Sequence, residues 1–297
     1  METTSREVIA TFAVTPQARE LLHRWQADPA RPQVPRVVLA HATKVLYQLE
    51  PDAIEGTCRA SEHPLGSITK AVASRVQPVV DWRPDFAFTH VMHLALERLG
   101  RLPTFQDFVG FCGGDPLGRA ALGDPARQIR ESTCRQGYPA GDVAKAVRWR
   151  IGLAYYSFVR EVYTIAVLRG CGLDVRAHPL ADALFRVDAW TGRTVLSLYI
   201  RNAAFRDGER SEEGFRIGRG YARRQQAVLH RIGGEDVAKT RRDDAAQAEI
   251  RKRVDRGLAR RTATEIASGD QHGGARATGS VQRIVPRRAV RIESKII

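Results

Sequence analysis

Residues 148–169 read RWRIGLAYYSFVREVYTIAVLR, and residues 178–202 read HPLADALFRVDAWTGRTVLSLYIRN. The first run belongs to a helix predicted over residues 142–169. Apolar residues recur there at 143, 147, 151, 154, 158, 165 and 168, the i, i+3, i+4 ladder of a helix with a face in a core. Glu161 falls on the ladder between Phe158 and Ile165. A carboxylate there is costly to bury unless it is paired or holds a cation. The plain alternative is a salt bridge to Arg150, Arg160 or a distant arginine. Gly170 and Gly172 end the helix.

The second run predicts strands. Residues 173–176 suit a first short strand, and His178-Pro179 is a break. Residues 182–190 alternate, Thr191-Gly192 suits a tight turn, and residues 194–201 alternate again. With Thr191-Gly192 as the loop, Trp190 opposes Arg193, Asp188 opposes Val195, Arg186 opposes Ser197 and Leu184 opposes Tyr199. Opposed residues share a face. Asp188 then lies with Arg186, Ser197, Tyr199 and Arg201 on a polar face, while Phe185, Val187, Ala189, Leu196 and Leu198 form the core face. Asp182 and His178 are secondary candidates on the loop entering the strand.

Toward the N-terminus the chain predicts helices. Residues 7–14 form a short apolar run suited to a strand. Thr15-Pro16 gives a cap followed by proline at the first helical position, with a helix to about residue 27. Residues 37–49 have helical spacing, residues 50–66 are rich in turn formers, and residues 67–80 suit another helix. The helix over 86–99 closes at Gly100 and carries His90 and His93 on one face. That spacing can ligate a metal, but no carboxylate or cysteine lies near in sequence, so partly buried histidines are the simpler expectation. Thr104 opens a helix over 105–111, and Asp124-Pro125 opens one to about residue 135. Gly113-Gly114-Asp115-Pro116 lacks the Lys and Ser/Thr of a phosphate-binding loop.

The chain carries a net charge of +14. Residues 201–297 hold 23 basic and 13 acidic residues, against 24 and 20 in residues 1–200. A surplus at one end points to a polyanion, and nucleic acid is the common one. Residues 215–224, FRIGRGYARR, interleave Arg216, Arg219, Arg223 and Arg224 with Phe215 and Tyr221, which suits phosphate contact with base stacking. A solvated arginine-rich loop is the alternative. Residues 233–266 suit a charged helix, and residues 267–297 have the composition of a disordered basic tail. The four cysteines form no C-x-x-C pair, no signal peptide is evident, and no run approaches the ~18 apolar residues of a membrane helix. A cytoplasmic protein with reduced thiols is expected.

A helix bearing a glutamate, then a strand bearing an aspartate, a tight turn and a second strand resembles the core of PD-(D/E)XK, restriction-endonuclease-like nucleases, over residues 145–202. The resemblance implies Mg2+ held by Glu161 and Asp188, phosphodiester hydrolysis by a metal-bound water, and phosphate steadied by Arg186 or Arg201. The third element of that motif falls on Ser197-Leu198-Tyr199, which holds neither acid nor lysine. The expected fold is α+β and mostly helical. It comprises a helical region over 1–140, a small restriction-endonuclease-like α/β core over 141–232, the charged helix and the tail. The expected function is nucleic-acid interaction, DNA ahead of RNA, with Mg2+-dependent endonuclease activity. The alternatives are a non-catalytic DNA/RNA-binding or adaptor protein, and a helical protein-interaction module.

Overall fold

A computed structural model describes residues 1–192, 194–200 and 290–296. The elements run β1 (Thr3–Thr4), α1 (Ser5–Phe12), α2 (Pro16–Gln26), α3 (Gln33–Ala40), β2 (Ala42–Thr43), a 3-10 turn (Val45–Gln48), α4 (Pro51–Ala60), α5 (Lys70–Ala73), α6 (Gln77–Asp81) and α7 (Phe88–Leu99). There follow α8 (Phe105–Gly114), α9 (Pro116–Gly118), a π-helical turn (Arg119–Gly123), α10 (Asp124–Arg135), α11 (Ala140–Gly170), a second π-helical turn (Ala181–Phe185), β3 (Ala189–Thr191), β4 (Thr194–Ile200) and β5 (Val290–Ile296). Among the described residues the fold is mostly helical, with two small antiparallel sheets, β1-β2 and β3-β4-β5.

α11 is the organising element, as its ladder predicts. Val143, Val147, Phe158, Ile165 and Leu168 are buried, and so are Tyr155, Val159 and Val162 off the ladder. The helix is therefore covered on several sides, by α4, α5, α6, α7 and α10. By length and composition it also suits a membrane span, with mean hydropathy 1.2 over its most apolar window, contrary to the expectation that no run comes near one. Half of that window is buried inside the protein, as in the core helix of a globular fold. One core cluster draws buried residues from Val8 to Leu196, and a second, of Val76, Val79, Val143, Ala146 and Val147, joins α6 to α11. Phe12 of α1 stacks on Phe185 at 5.4 Å and meets Trp190 edge-on at 5.3 Å.

Local chemistry explains the other departures. Of the residues expected as a strand over 7–14, residues 7–12 are helical and 13–14 a turn, because the Thr4 hydroxyl accepts from Glu7 N and Val8 and Phe12, four apart, are both buried. Residues 51–60 form α4 where turns were expected: Pro51 opens it, and Ile54 and Cys58 face inward. The helix expected over 37–49 stops at Ala40 because Glu97 of α7 captures the next segment. Its carboxylate accepts from the backbone N–H groups of Lys44, Val45 and Leu46 at 3.0, 2.9 and 3.3 Å. The helix expected over 67–80 is two short ones, with Pro78 in the first turn of α6. Thr15, Gly100 and Thr104 do what the sequence predicts. Thr15 caps α2, Gly100 ends α7 in the left-handed region at φ 69°, and Thr104 forms a reciprocal capping box with Asp107.

The hairpin forms with a shifted register. Ala189 opposes Leu196, Trp190 opposes Val195 and Thr191 opposes Thr194, so the connection is residues 192–193. Gly192 turns it at φ 55°. The slide is two residues, so parity survives and Ala189 and Leu196 share the core face. The other face is not open: Trp190 and Val195 are buried as well. The expected first strand, 173–176, contributes one bridge, Arg176 to Trp190. Residues 182–188 are not a strand. His178 starts a helical turn there: its Nδ1 accepts from Leu180 N at 3.0 Å, and Pro179 follows it. Leu184 and Phe185, adjacent in sequence, can then both be buried. Residues 290–296, inside the segment expected to be disordered, pair with β4 as β5. Arg201, Arg216, Arg219, Tyr221, Arg223 and Arg224 lie outside the described residues, as does the charged helix.

Candidate acid and arginine cleft

α7, α11 and the turn after His178 meet beside a group of buried histidines. His41, His90, His93 and His178 are each at most 7% exposed. His178 is locked by the backbone. Its Nδ1 accepts from Leu180 N, so Nε2 carries the proton and donates to the carbonyl of His41 at 3.0 Å. His41 Nε2 lies 3.3 Å from the Thr43 hydroxyl. Burial holds His178 down to about 4, against the pull of its hydrogen bond to the His41 carbonyl, and His41 down to about 2, and neighbouring histidines lower both further. Both are neutral fixtures of the core at ordinary pH.

His90 and His93 face acids. His90 Nε2 is 3.2 Å from Asp182 Oδ2, and the Thr89 hydroxyl donates to the same oxygen at 3.4 Å. His93 Nε2 is 3.6 Å from Glu161 Oε1, outside hydrogen-bonding range. Glu161 is 18% exposed. Burial, then the charge of Asp182, pushes its carboxyl up to about 8, against the pull of His90. Burial and His90 push His93 down to about 4. The Glu161–His93 contact therefore joins two uncharged groups at neutral pH and is not an ion pair. Asp182 goes the other way. Burial alone would raise it, but the hydrogen bond from His90 and the charges of His90 and Arg186 outweigh burial and hold it below the usual range. Two neighbouring acids, one protonated and one ionised, result from these opposed surroundings. The Nδ1 atoms of His90 and His93 are buried and have no hydrogen-bond partner among the described residues.

The acid whose charge acts on Glu161 is thus Asp182, ranked behind Asp188 in sequence. Asp188 stands half-buried at the bend before β3. Arg186 is not on a strand face: at φ 56° it closes the π-helical turn, its N–H donating to the carbonyls of Ala181 and Asp182. Its exposed side chain enters a cleft of about 360 Å³.

That cleft was not legible in the sequence. Arg31, Arg83, Arg150 and Arg186 line it with His90, Trp25 and Phe88, against only Asp28 and Asp85. Arg31 is committed to Asp28 at 3.1 Å. Arg150 donates to the carbonyls of Val79, Val80 and Trp82, and its guanidinium lies 5.5 Å from the centre of the Phe88 ring. Burial, and then the charge of Arg83, lowers the Arg150 pKa. Positive charge in the cleft is therefore in excess of its neutralisation. His90 belongs to both features, lining the cleft and bonding Asp182.

Among the described residues, no three His, Cys, Asp or Glu side chains are arranged to hold a metal ion. Glu161 and Asp182 supply two carboxylates, and Mg2+ takes one or two, with waters and substrate phosphate completing its shell. The charge of Asp182 acts on Glu161, and a divalent cation held by the pair would favour the ionised form of Glu161. No family model, curated protein or solved structure matches the chain.

Proposed function

We propose that this protein binds nucleic acid through its phosphates and, loaded with Mg2+ or Mn2+, hydrolyses a phosphodiester bond in the manner of the restriction-endonuclease-like proteins it resembles. The observation that carries the reading is the arginine-lined cleft with His90 in its wall and, behind His90, an ionised Asp182 beside a protonated Glu161. Phosphoryl chemistry needs cations where negative charge collects and a proton donor for the leaving oxygen. Arg83, Arg150 and Arg186 are placed for the first. Glu161 carries a proton at neutral pH in the metal-free protein and would give it up on taking the ion, so a second water on that ion is the donor the leaving oxygen would need, while Asp182 fixes the orientation of His90. A divalent ion on the two carboxylates would supply an activated water. Arginine is always charged and cannot serve as the base.

A second reading is binding without catalysis. The missing acid and lysine at residues 197–199 and the neutral Glu161 favour it. DNA retardation and plasmid cleavage in Mg2+ and in Mn2+ separate the two. Arg83→Ala with Arg186→Ala should weaken binding at least ~10-fold and lower the salt dependence by about two phosphate contacts. Glu161→Gln and Asp182→Asn should leave binding intact and abolish cleavage. Uncut plasmid in both metals, with binding retained, leaves only the second reading. No binding at low salt removes both.

A further inference from the structure

The cleft is small, and its size bears on what part of a nucleic acid it takes. A volume of about 360 Å³ lies at the low end of the ~300–1,000 Å³ spanned by small-molecule sites. It offers room for one nucleotide and not for a base pair with its backbones. Its chemistry is divided as a nucleotide is divided. Of the four arginines, Arg31 is tied to Asp28, and Arg150 is fixed by three carbonyls and the Phe88 ring. Arg83 spends a single nitrogen on the carbonyls of Val80 and Trp82 and keeps its other donors. The Arg186 side chain makes no hydrogen bond or ion pair among the described residues, its backbone N–H alone being bonded. These two present a fork to an incoming phosphate.

The aromatic lining is divided too. Phe88 already packs edge-on against Trp82 at 5.6 Å and carries Arg150 over its face. Trp25 meets no other ring among the described residues and is partly exposed. An indole without a stacking partner among the described residues, in a cleft with two arginines that keep donors to spare, matches the platform-plus-cation arrangement by which proteins hold unpaired bases. A duplex offers phosphates but keeps its base faces covered.

We infer that the cleft binds one unpaired nucleotide of a single strand, its phosphate on Arg83 and Arg186 and its base on Trp25. This rests on the nucleic-acid reading above. The test uses the full chain at low salt without divalent metal. Anisotropy titrations compare a 5′-phosphorylated single strand of about 12 nucleotides, the blunt duplex of the same sequence, and dAMP as competitor. The expected result is a single-strand preference of ~10-fold or more, lost in Trp25→Ala and kept in Trp25→Phe, with duplex affinity unmoved by either. Equal affinity for strand and duplex overturns the inference. So does a preference indifferent to Trp25→Ala. Both outcomes leave the nucleic-acid reading in place. Competition by dAMP as tight as the strand itself marks a free-nucleotide pocket and overturns the inference. Absence of binding to any of the polymers overturns the nucleic-acid reading itself. Because Trp25 is partly exposed, an unchanged melting temperature for both variants certifies that they are folded.

Discussion

Replacing Glu161 with glutamine should convert a falling alkaline stability into a flat one. In the folded protein the carboxyl is raised to about 8 from its ordinary 4.5, by burial first and then by Asp182. Folding therefore takes up a proton. The stability this group allows is fully present below pH 4.5 and is lost as pH rises toward 8. Each pH unit inside that window costs about 1.4 kcal/mol, so between about pH 5.5 and pH 8.5 the loss is about 3 kcal/mol, a ceiling given partial exposure. The histidines act in the opposite sense. His93 and His178 are lowered to about 4 from 6.5, so their contribution is complete above 6.5 and lost as pH falls toward 4. The two trends meet in a stability maximum near pH 6.5, the ordinary histidine value. Urea unfolding in EDTA, read by tryptophan fluorescence across this range, gives both curves. Glu161→Gln should gain about 2–3 kcal/mol on the wild type between about pH 5.5 and pH 8.5. Curves that stay parallel across that range would refute the reasoning, since they would place an ordinary ionised carboxylate at residue 161.

Two further perturbations test the scaffold. Glu97→Ala strips the carboxylate from three backbone N–H groups at residues 44–46, and should cost about 2–3 kcal/mol in the same urea assay at neutral pH. A loss under about 0.5 kcal/mol would mean water replaces the carboxylate freely. Among the glycines, Gly123 and Gly110 should respond with opposite signs. A Cβ on Gly123 would strike the backbone carbonyl of Cys112, whereas one on Gly110, inside α8 and exposed, meets nothing within 4 Å. Gly123→Ala should destabilise by about 1–3 kcal/mol and Gly110→Ala should stabilise by up to about 1 kcal/mol. Melting temperatures moving in the same direction would contradict that packing.

What the sequence made legible is what short-range physics controls. The α11 ladder, the Thr15-Pro16 start, the Thr104 capping box and the Gly100 stop each depend on residues within one helical turn, and each appears where expected. Hairpin parity survived a two-residue slide because a slide of two leaves every side chain on its face. The strand expected over 182–190 keeps only Ala189 and Trp190, because the imidazole of His178 starts a helical turn that competes with alternation. The site failed for a different reason. Asp182 and His90 are 92 residues apart, and the cleft draws Arg31, Arg83, Arg150 and Arg186 from four separate segments. No spacing rule encodes such convergence. The histidine pair in α7 was a real signal whose partners lay too far along the chain to be named.

Glu161 shows how a local anomaly can be right while its explanation is wrong. A leucine at position 161 would continue the ladder of α11 and avoid desolvating a carboxyl. Sequence alone offers two ways to make the glutamate tolerable, a salt bridge or a cation, and both require it to be charged. The fold offers a third. With Asp182 ionised nearby and neutral His93 too far to bond it, the cheapest state of Glu161 is the protonated one. That state removes most of the burial penalty, so no arginine is needed to compensate. It also leaves a proton beside His93 and within electrostatic reach of His90, whose ring reaches the arginine-lined cleft. A structural ion pair would have paired charges and closed the matter. A protonated acid beside an ionised one, opening toward excess positive charge, instead leaves a difference in protonation that an incoming phosphate or a divalent cation can use.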